Sequence, residues 1–119
     1  MLALLHREKG HDVVESILDV AGMSAVNVCE VIGKLLAIPM ELPSAIETVR
    51  ATQVEVVLFD HQQAYETAGL LLLTKSVGLS LGDRACLALA RHEGVPVLTT
   101  DRAWKNLASK LGIDVRVIR

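Results

Sequence analysis

The sequence predicts an α/β domain in which a parallel sheet is buried under helices, and three observations predict it. Short runs rich in Val, Ile and Leu alternate with helical patterns of ten or so residues, an order that sets parallel strands beside crossover helices. Hydrophobic residues make up 51% of the 119, yet there is only one Trp, one Tyr and one Phe. That aliphatic composition suits helices on a buried sheet and argues against disorder. Acidic residues stand at helix starts or just after strands, where open α/β sheets receive their ligands. The length fits one domain over 1–119, with no repeat, low-complexity tract or linker to divide it.

In chain order, Met1 to Lys9 predicts a helix already under way, ended by Gly10, and Asp12 caps a second through about Asp19. Met23 to Val26 is a short apolar run that predicts a strand. Asn27 then caps a helix over Val28 to Ile38, closed by Pro39. Pro43 and Ser44 open another, to about Thr52. Val54 to Phe59 is β-branched and bounded by polar residues, which predicts a strand. Asp60 caps a helix from His61 to about Leu73. A loop through Gly78 leads to Ser80-Leu81-Gly82-Asp83 and a strongly apolar helix to Glu93, ended by Gly94. Val95 to Thr99 predicts a strand, Asp101 opens a helix to about Lys110, and Asp114 to Ile118 predicts the last strand.

Charge and cysteine content narrow the function classes. A net charge of −2 gives no global basic field of the kind that sequence-independent nucleic-acid binders carry. A substrate held briefly through a metal and a few local arginines remains compatible with it. Cys29 and Cys86 lack CxxC spacing and fall in helical patterns, so they read as reduced, buried thiols. No apolar run reaches the ~18 residues that span a bilayer, and Met1 to Leu5 is too short for a signal-peptide core. The expectation is a cytoplasmic protein with no membrane partner.

Three acids, Glu30, Asp83 and Asp101, come from three separate segments that the predicted topology directs at one edge of the sheet. Taken singly, Asp83 and Asp101 read as helix-start residues stabilised by the dipole, and Glu30 as a solvated helix residue. Their surroundings shift the weight. Glu30 lies among Ala25, Val26, Val28, Val31 and Ile32, and Asp83 directly precedes the apolar stretch Ala85 to Ala90. Gathered carboxylates repel and raise one another's pKa, which a hard divalent cation such as Mg²⁺ or Mn²⁺ relieves. A cation so held acidifies a bound water and neutralises charge on a scissile phosphate.

The segments Ser24 to Val31, Leu79 to Ala88 and Val97 to Trp104 resemble the second, third and fourth acidic motifs of PIN domains. The resemblance is strongest to the toxin branch, the VapC-like ribonucleases of toxin–antitoxin operons. It runs through the whole chain in order; Leu-Ser-Leu-Gly-Asp-Arg-Ala-Cys-Leu-Ala is its most specific part. It implies a three-layer domain with a central parallel sheet flanked by helices. It implies a Mg²⁺- or Mn²⁺-dependent endoribonuclease acting on RNA and inhibited by a cognate antitoxin whose C-terminal segment covers the groove. Glu30, Asp83 and Asp101 become catalytic metal ligands by position, Thr99 a hydrogen-bonding neighbour, and Arg84 and Arg102 contacts to phosphate or antitoxin.

The chain departs from the pattern at its start. PIN domains resembling it begin with a buried strand ending in Asp followed by Ser or Thr, then a helix reading much like Leu2 to Glu8. Here the chain starts inside that helix, so the first strand and its Asp are expected to be absent, and Glu8 is too far along to replace the Asp. Loss of a central strand should cost several kcal/mol, of the order of a domain's stability. The favoured explanation is a start assigned to an internal Met.

Other residues carry plainer readings. His6, His11, His61 and His92 lack the i, i+4 spacing of a zinc site. Trp104 reads as helix-face packing, with antitoxin or dimer contact second. Leu70 to Leu73 reads as core or a homodimer surface. Gly78, Gly82 and Gly94 lack phosphate-loop spacing. Two further functions compete with the nuclease: a catalytically silent PIN-like module that binds an antitoxin or partner subunit, and a phosphoacceptor receiver-like domain. The latter needs paired acids after the first strand and a Lys after the last, and neither is visible.

Overall fold

The computed structural model describes residues 21–118. The helices expected over Met1 to Lys9 and Asp12 to Asp19, and the strand expected ahead of them, lie outside the described residues. The chain forms two compact units, Met1–Leu58 and Phe59–Arg119.

In the first unit, β1 (Gly22–Ser24) leads through α1 (Ala25–Ala37) and α2 (Leu42–Arg50) to β2 (Glu55–Val57). The two strands are parallel, in the register Gly22 with Glu55 and Ser24 with Val57, as a connection through helices requires. α1 starts three residues earlier than the expected Val28. Ser24, buried at the end of β1, takes the cap position: its Oγ accepts the Val26 N–H at 3.2 Å. Glu30 consequently lies in the second turn of α1, not the first. A stripe at helical spacing faces inward. Val31 and Leu35 are buried against Ala45 and Val49 of α2, with Val28 and Ile32 packed beside them. Pro43 sits in the first turn of α2, where its missing N–H costs nothing. Cys29, adjacent to this stripe but off it, is exposed, contrary to the buried thiol expected; Cys86 is half-buried.

The second unit holds α3 (His61–Gly69), α4 (Leu71–Thr74), α5 (Leu81–Glu93), β3 (Val97–Thr99), a 3₁₀ helix (Arg102–Leu107), α6 (Ala108–Leu111) and β4 (Val115–Val117). Asp60 caps α3, its Oδ1 accepting the Gln63 N–H at 2.9 Å. The single helix expected to Leu73 is broken after Gly69, the poorest helix former in the run. The break divides the leucine cluster: Leu70 is buried and Leu73 packs on the core, whereas Leu71 and Leu72 are exposed. The core reading therefore holds for half of it. β3 is shorter than expected because Pro96 has no N–H for a ladder and the Val95 N–H turns back to Ala90 O. The helix expected after Asp101 forms as the 3₁₀ helix followed by α6. β3 and β4 are parallel, Val97 opposite Val115 and Thr99 opposite Val117.

A two-stranded ladder of three-residue strands is marginal by itself, so helix packing supports this sheet too. Leu70, Leu87, Trp104, Leu107 and Leu111 close a core against Val97 and Val115. Trp104, 6% exposed, serves as packing, as expected. Gly94 ends α5 in the left-handed region, at φ 66°, with nothing within 4 Å of where a Cβ would stand. The conformation alone is therefore strained by a side chain. Gly94→Ala is expected to destabilise the protein by about 1 kcal/mol, read as a lowered urea midpoint.

Candidate active site

The segment Leu79 to Ala88 builds the first part of the site through its own backbone needs. The free N–H groups at the start of α5 are satisfied by a capping box. Ser80 Oγ accepts the Asp83 N–H at 3.1 Å, and Asp83 Oδ2 accepts the Ser80 N–H at 3.0 Å. Ser-x-x-Asp before an apolar helix is the sequence signal for it. Asp83 thus keeps Oδ1 without a partner among the described residues.

Asp101 follows the same logic two residues beyond β3. Its Oδ1 accepts the Ala103 N–H at 2.9 Å, which caps the 3₁₀ helix, and its own N–H donates to Thr99 Oγ1 at 3.0 Å. Thr99 and Asp101 are thus hydrogen-bonded neighbours. Because Thr99 Oγ1 acts as acceptor there, its hydroxyl proton stays available to a ligand.

The two aspartates share one end of the second unit. α5 has 13 residues, about 20 Å at the usual rise, and returns through Gly94 to Pro96 into β3, on which it packs. It therefore runs antiparallel to β3, with its N-terminus at the strand's carboxyl end. Asp83 near the start of α5 and Asp101 just past β3 therefore both stand toward that end, the end where parallel sheets bind ligands.

Glu30 belongs to the first unit. It is exposed on α1, and its Oε1 accepts from Asn27 Nδ2 at 3.2 Å. Sequence reasoning treats Asn27 as the helix cap and misses this second use, although an amide three residues before a carboxylate on one helix face is a readable signal. Arg84 is half-buried, and its Nε is screened from solvent without a hydrogen-bond partner among the described residues. A hidden orphan donor of a cation is costly and suits an anionic ligand. Arg102 is exposed at the start of the 3₁₀ helix. Among the described residues no group of three or more His, Cys, Asp and Glu is placed to hold a metal ion. His61 is an edge-on neighbour of Tyr65, and His92 Nδ1 lies 3.2 Å from Glu66 Oε1.

The described residues thus do not gather the three acids into one metal-holding group, and only the type of donor each offers bears on a cation. Each acid has one oxygen held by an N–H group and one oxygen without a partner among the described residues: Glu30 Oε2, Asp83 Oδ1 and Asp101 Oδ2. Oxygen-only, single-point carboxylate ligation is what Mg²⁺ and Mn²⁺ favour.

Comparison with known proteins places these residues in a family context. A family model for the PIN domain matches residues 1–110, across both units. No curated protein matches the chain. Among the described residues no helix is long and apolar enough to cross a membrane.

Proposed function

Because the chain belongs to the PIN-domain family, an α/β nuclease-type fold whose members are generally metal-dependent nucleases, we propose that it is a Mg²⁺- or Mn²⁺-dependent endoribonuclease. It is the toxin of a toxin–antitoxin pair, held in check by a cognate antitoxin, and it works in the cytoplasm as a homodimer. Glu30, Asp83 and Asp101 hold the ion and form the catalytic set. What supports this reading is that Asp83 at the start of α5 and Asp101 just past β3 both stand toward the carboxyl end of β3, each with one oxygen held by a main-chain N–H and the other without a partner among the described residues.

A bound divalent ion supplies an acidified water and offsets charge on the phosphate under attack. The chain's residues do the rest. Asp83 and Asp101 present fixed oxygens, which lowers the entropy lost on ligation. The Thr99 hydroxyl donates toward a phosphate oxygen while its oxygen holds the Asp101 main chain in place. Arg84 turns its guanidinium toward the same phosphate, and Arg102 meets the next phosphate or the antitoxin.

The test is cleavage of a mixed RNA pool by the chain with Mn²⁺. Cleavage is expected with Mn²⁺, and EDTA should reduce it to background. A folded chain that leaves the pool intact with Mn²⁺ would sink the enzyme reading. A second reading, a catalytically silent module that binds an antitoxin or partner subunit, is favoured by the absence of a three-acid group among the described residues. Capture of an antitoxin without cleavage would select it.

A further inference from the structure

The two edges of the small sheet in the first unit are not alike. β1 ends at Ser24, which is 1% exposed and whose Oγ caps α1. β2 has β1 as its one neighbour among the described residues. The Glu55 N–H donates to Ala21 O at 3.2 Å, and along a strand alternate residues turn their N–H and C=O groups to the same side. Glu55 and Val57 therefore face β1. Val56 between them turns its N–H and C=O away, with no partner among the described residues. Its side chain is 48% exposed, and that of Leu58, two residues on, 80%.

We propose that this outer edge of β2 is a homodimer surface, on which the same edge of a second copy pairs antiparallel about Val56 and joins the two sheets. The proposal rests on the homodimer reading given above and not on the metal.

The strand's own pattern is what selects a second copy as the occupant. Residues two apart on a strand share a face, so Val54, Val56 and Leu58 lie on one side. That apolar pattern is the same read from either end about Val56. An antiparallel copy sets Val56 opposite the partner's Val56 and Val54 opposite the partner's Leu58, apolar against apolar at each pair. Glu55 falls opposite the partner's Val57, so no two carboxylates are directly paired. The main chain matches as well. In a hydrogen-bonded antiparallel pair the two opposed residues exchange both N–H···O bonds, which satisfies the outward N–H and C=O of Val56 in both copies, and the contact closes on a two-fold axis.

The edge also lacks what keeps strand edges apart. Proteins blunt them with Lys, Pro or a bulge. Val54 to Leu58 holds no Lys and no Pro, its register with β1 is regular, and its single charge is Glu55. The strand is short, so the dimer belongs to the weak, reversible class. The other apolar surface open to self-association is Leu71 and Leu72 in the second unit, 46% and 76% exposed.

Sedimentation velocity of the full chain over a concentration series separates the two surfaces. The variants are Val56→Lys, Val56→Glu, Val56→Pro and Leu72→Lys, each with a thermal melt. Val56→Pro removes the outward N–H and no bond to β1, the position at which an edge strand tolerates proline. The unmodified chain is expected to dimerise. Val56→Lys and Val56→Glu should each raise the dissociation constant by about tenfold or more, because like charges then stand opposite each other at the axis. Val56→Pro should act in the same direction, and Leu72→Lys should change nothing. An equimolar mixture of the Lys and Glu variants should restore the dimer, which a misfolded variant would not do. A dimer that withstands both Val56→Lys and Val56→Pro, or one lost in Leu72→Lys instead, overturns this surface and leaves the homodimer reading standing. A mixture that stays monomeric also overturns the pairing about Val56. A chain that is monomeric at every concentration overturns the homodimer reading and the proposal together, and leaves the edge to a strand of a different protein.

Discussion

Asp83→Asn is expected to lower Mn²⁺-dependent RNA cleavage by about 10³-fold while the melting midpoint moves by only a few degrees. The two halves of this result have separate physical origins. Asn is close to Asp in shape, and its Oδ1 still accepts the Ser80 N–H that Asp83 Oδ2 accepts now, so the capping box at the start of α5 survives. What α5 loses is a negative charge at its positive end, about 0.3–1 kcal/mol, and for a domain of this size that is a shift of a few degrees. The ion loses an anionic ligand, and charge stabilisation of several kcal/mol goes with it; about 4 kcal/mol corresponds to the 10³ expected in rate. Asp83→Ala, by contrast, should lose both, because the Ser80 N–H is left without its acceptor. Single-turnover cleavage with matched melting curves distinguishes these outcomes. Full activity in a folded Asp83→Asn variant would remove Asp83 from the catalytic set.

The parts of the fold legible in the sequence are those with local causes. Ser80 and Asp83 announce a capping box, Gly94 and Gly112 stand where helices must stop, and the spacing of Val28, Val31, Ile32 and Leu35 names the inner face of α1. The departures come from competition that spacing alone does not decide. Ser24 and Asn27 are both good caps; Ser24 prevails, and Asn27 is released to bond Glu30. Leu70 to Leu73 is uniformly apolar, and only the break at Gly69 sorts which leucines reach the core. Pro96 shortens β3 for want of one N–H, a subtraction that a β-rich run hides. The places of Asp83 and Asp101 in the fold were legible because a helix start or a strand end fixes each of them. Asn27 was missed because its visible role, capping, accounted for it without asking where its amide points.

Leu87→Ala is expected to cost about 3 kcal/mol, the largest stability effect of any single substitution considered. Leu87 is fully buried on α5, at 0% exposure, in the cluster with Leu70, Trp104 and Leu107. Truncation removes the transfer energy of the lost methyl groups and leaves a cavity that close-packed neighbours fill only in part. Against a total stability of about 5–15 kcal/mol, that loss brings a small protein close to unfolding at body temperature. In urea, with a slope of about 1.5 kcal/mol per M, the midpoint should fall by about 2 M. Leu72→Ala supplies the contrast: Leu72 is 76% exposed in the same unit and its truncation should stay within about 0.5 kcal/mol. Leu87→Met, close in volume, should recover most of the difference. The pair also separates fold from chemistry. The Leu87 side chain is buried in the core and is none of the site residues, so Leu87→Ala should still cleave RNA in the cold, where the protein is folded, and lose activity on warming in step with its melting curve. Equal urea midpoints for Leu87→Ala and Leu72→Ala would mean that α5 is not packed on this core, and the placement of Asp83 at the carboxyl end of β3 would fall with it.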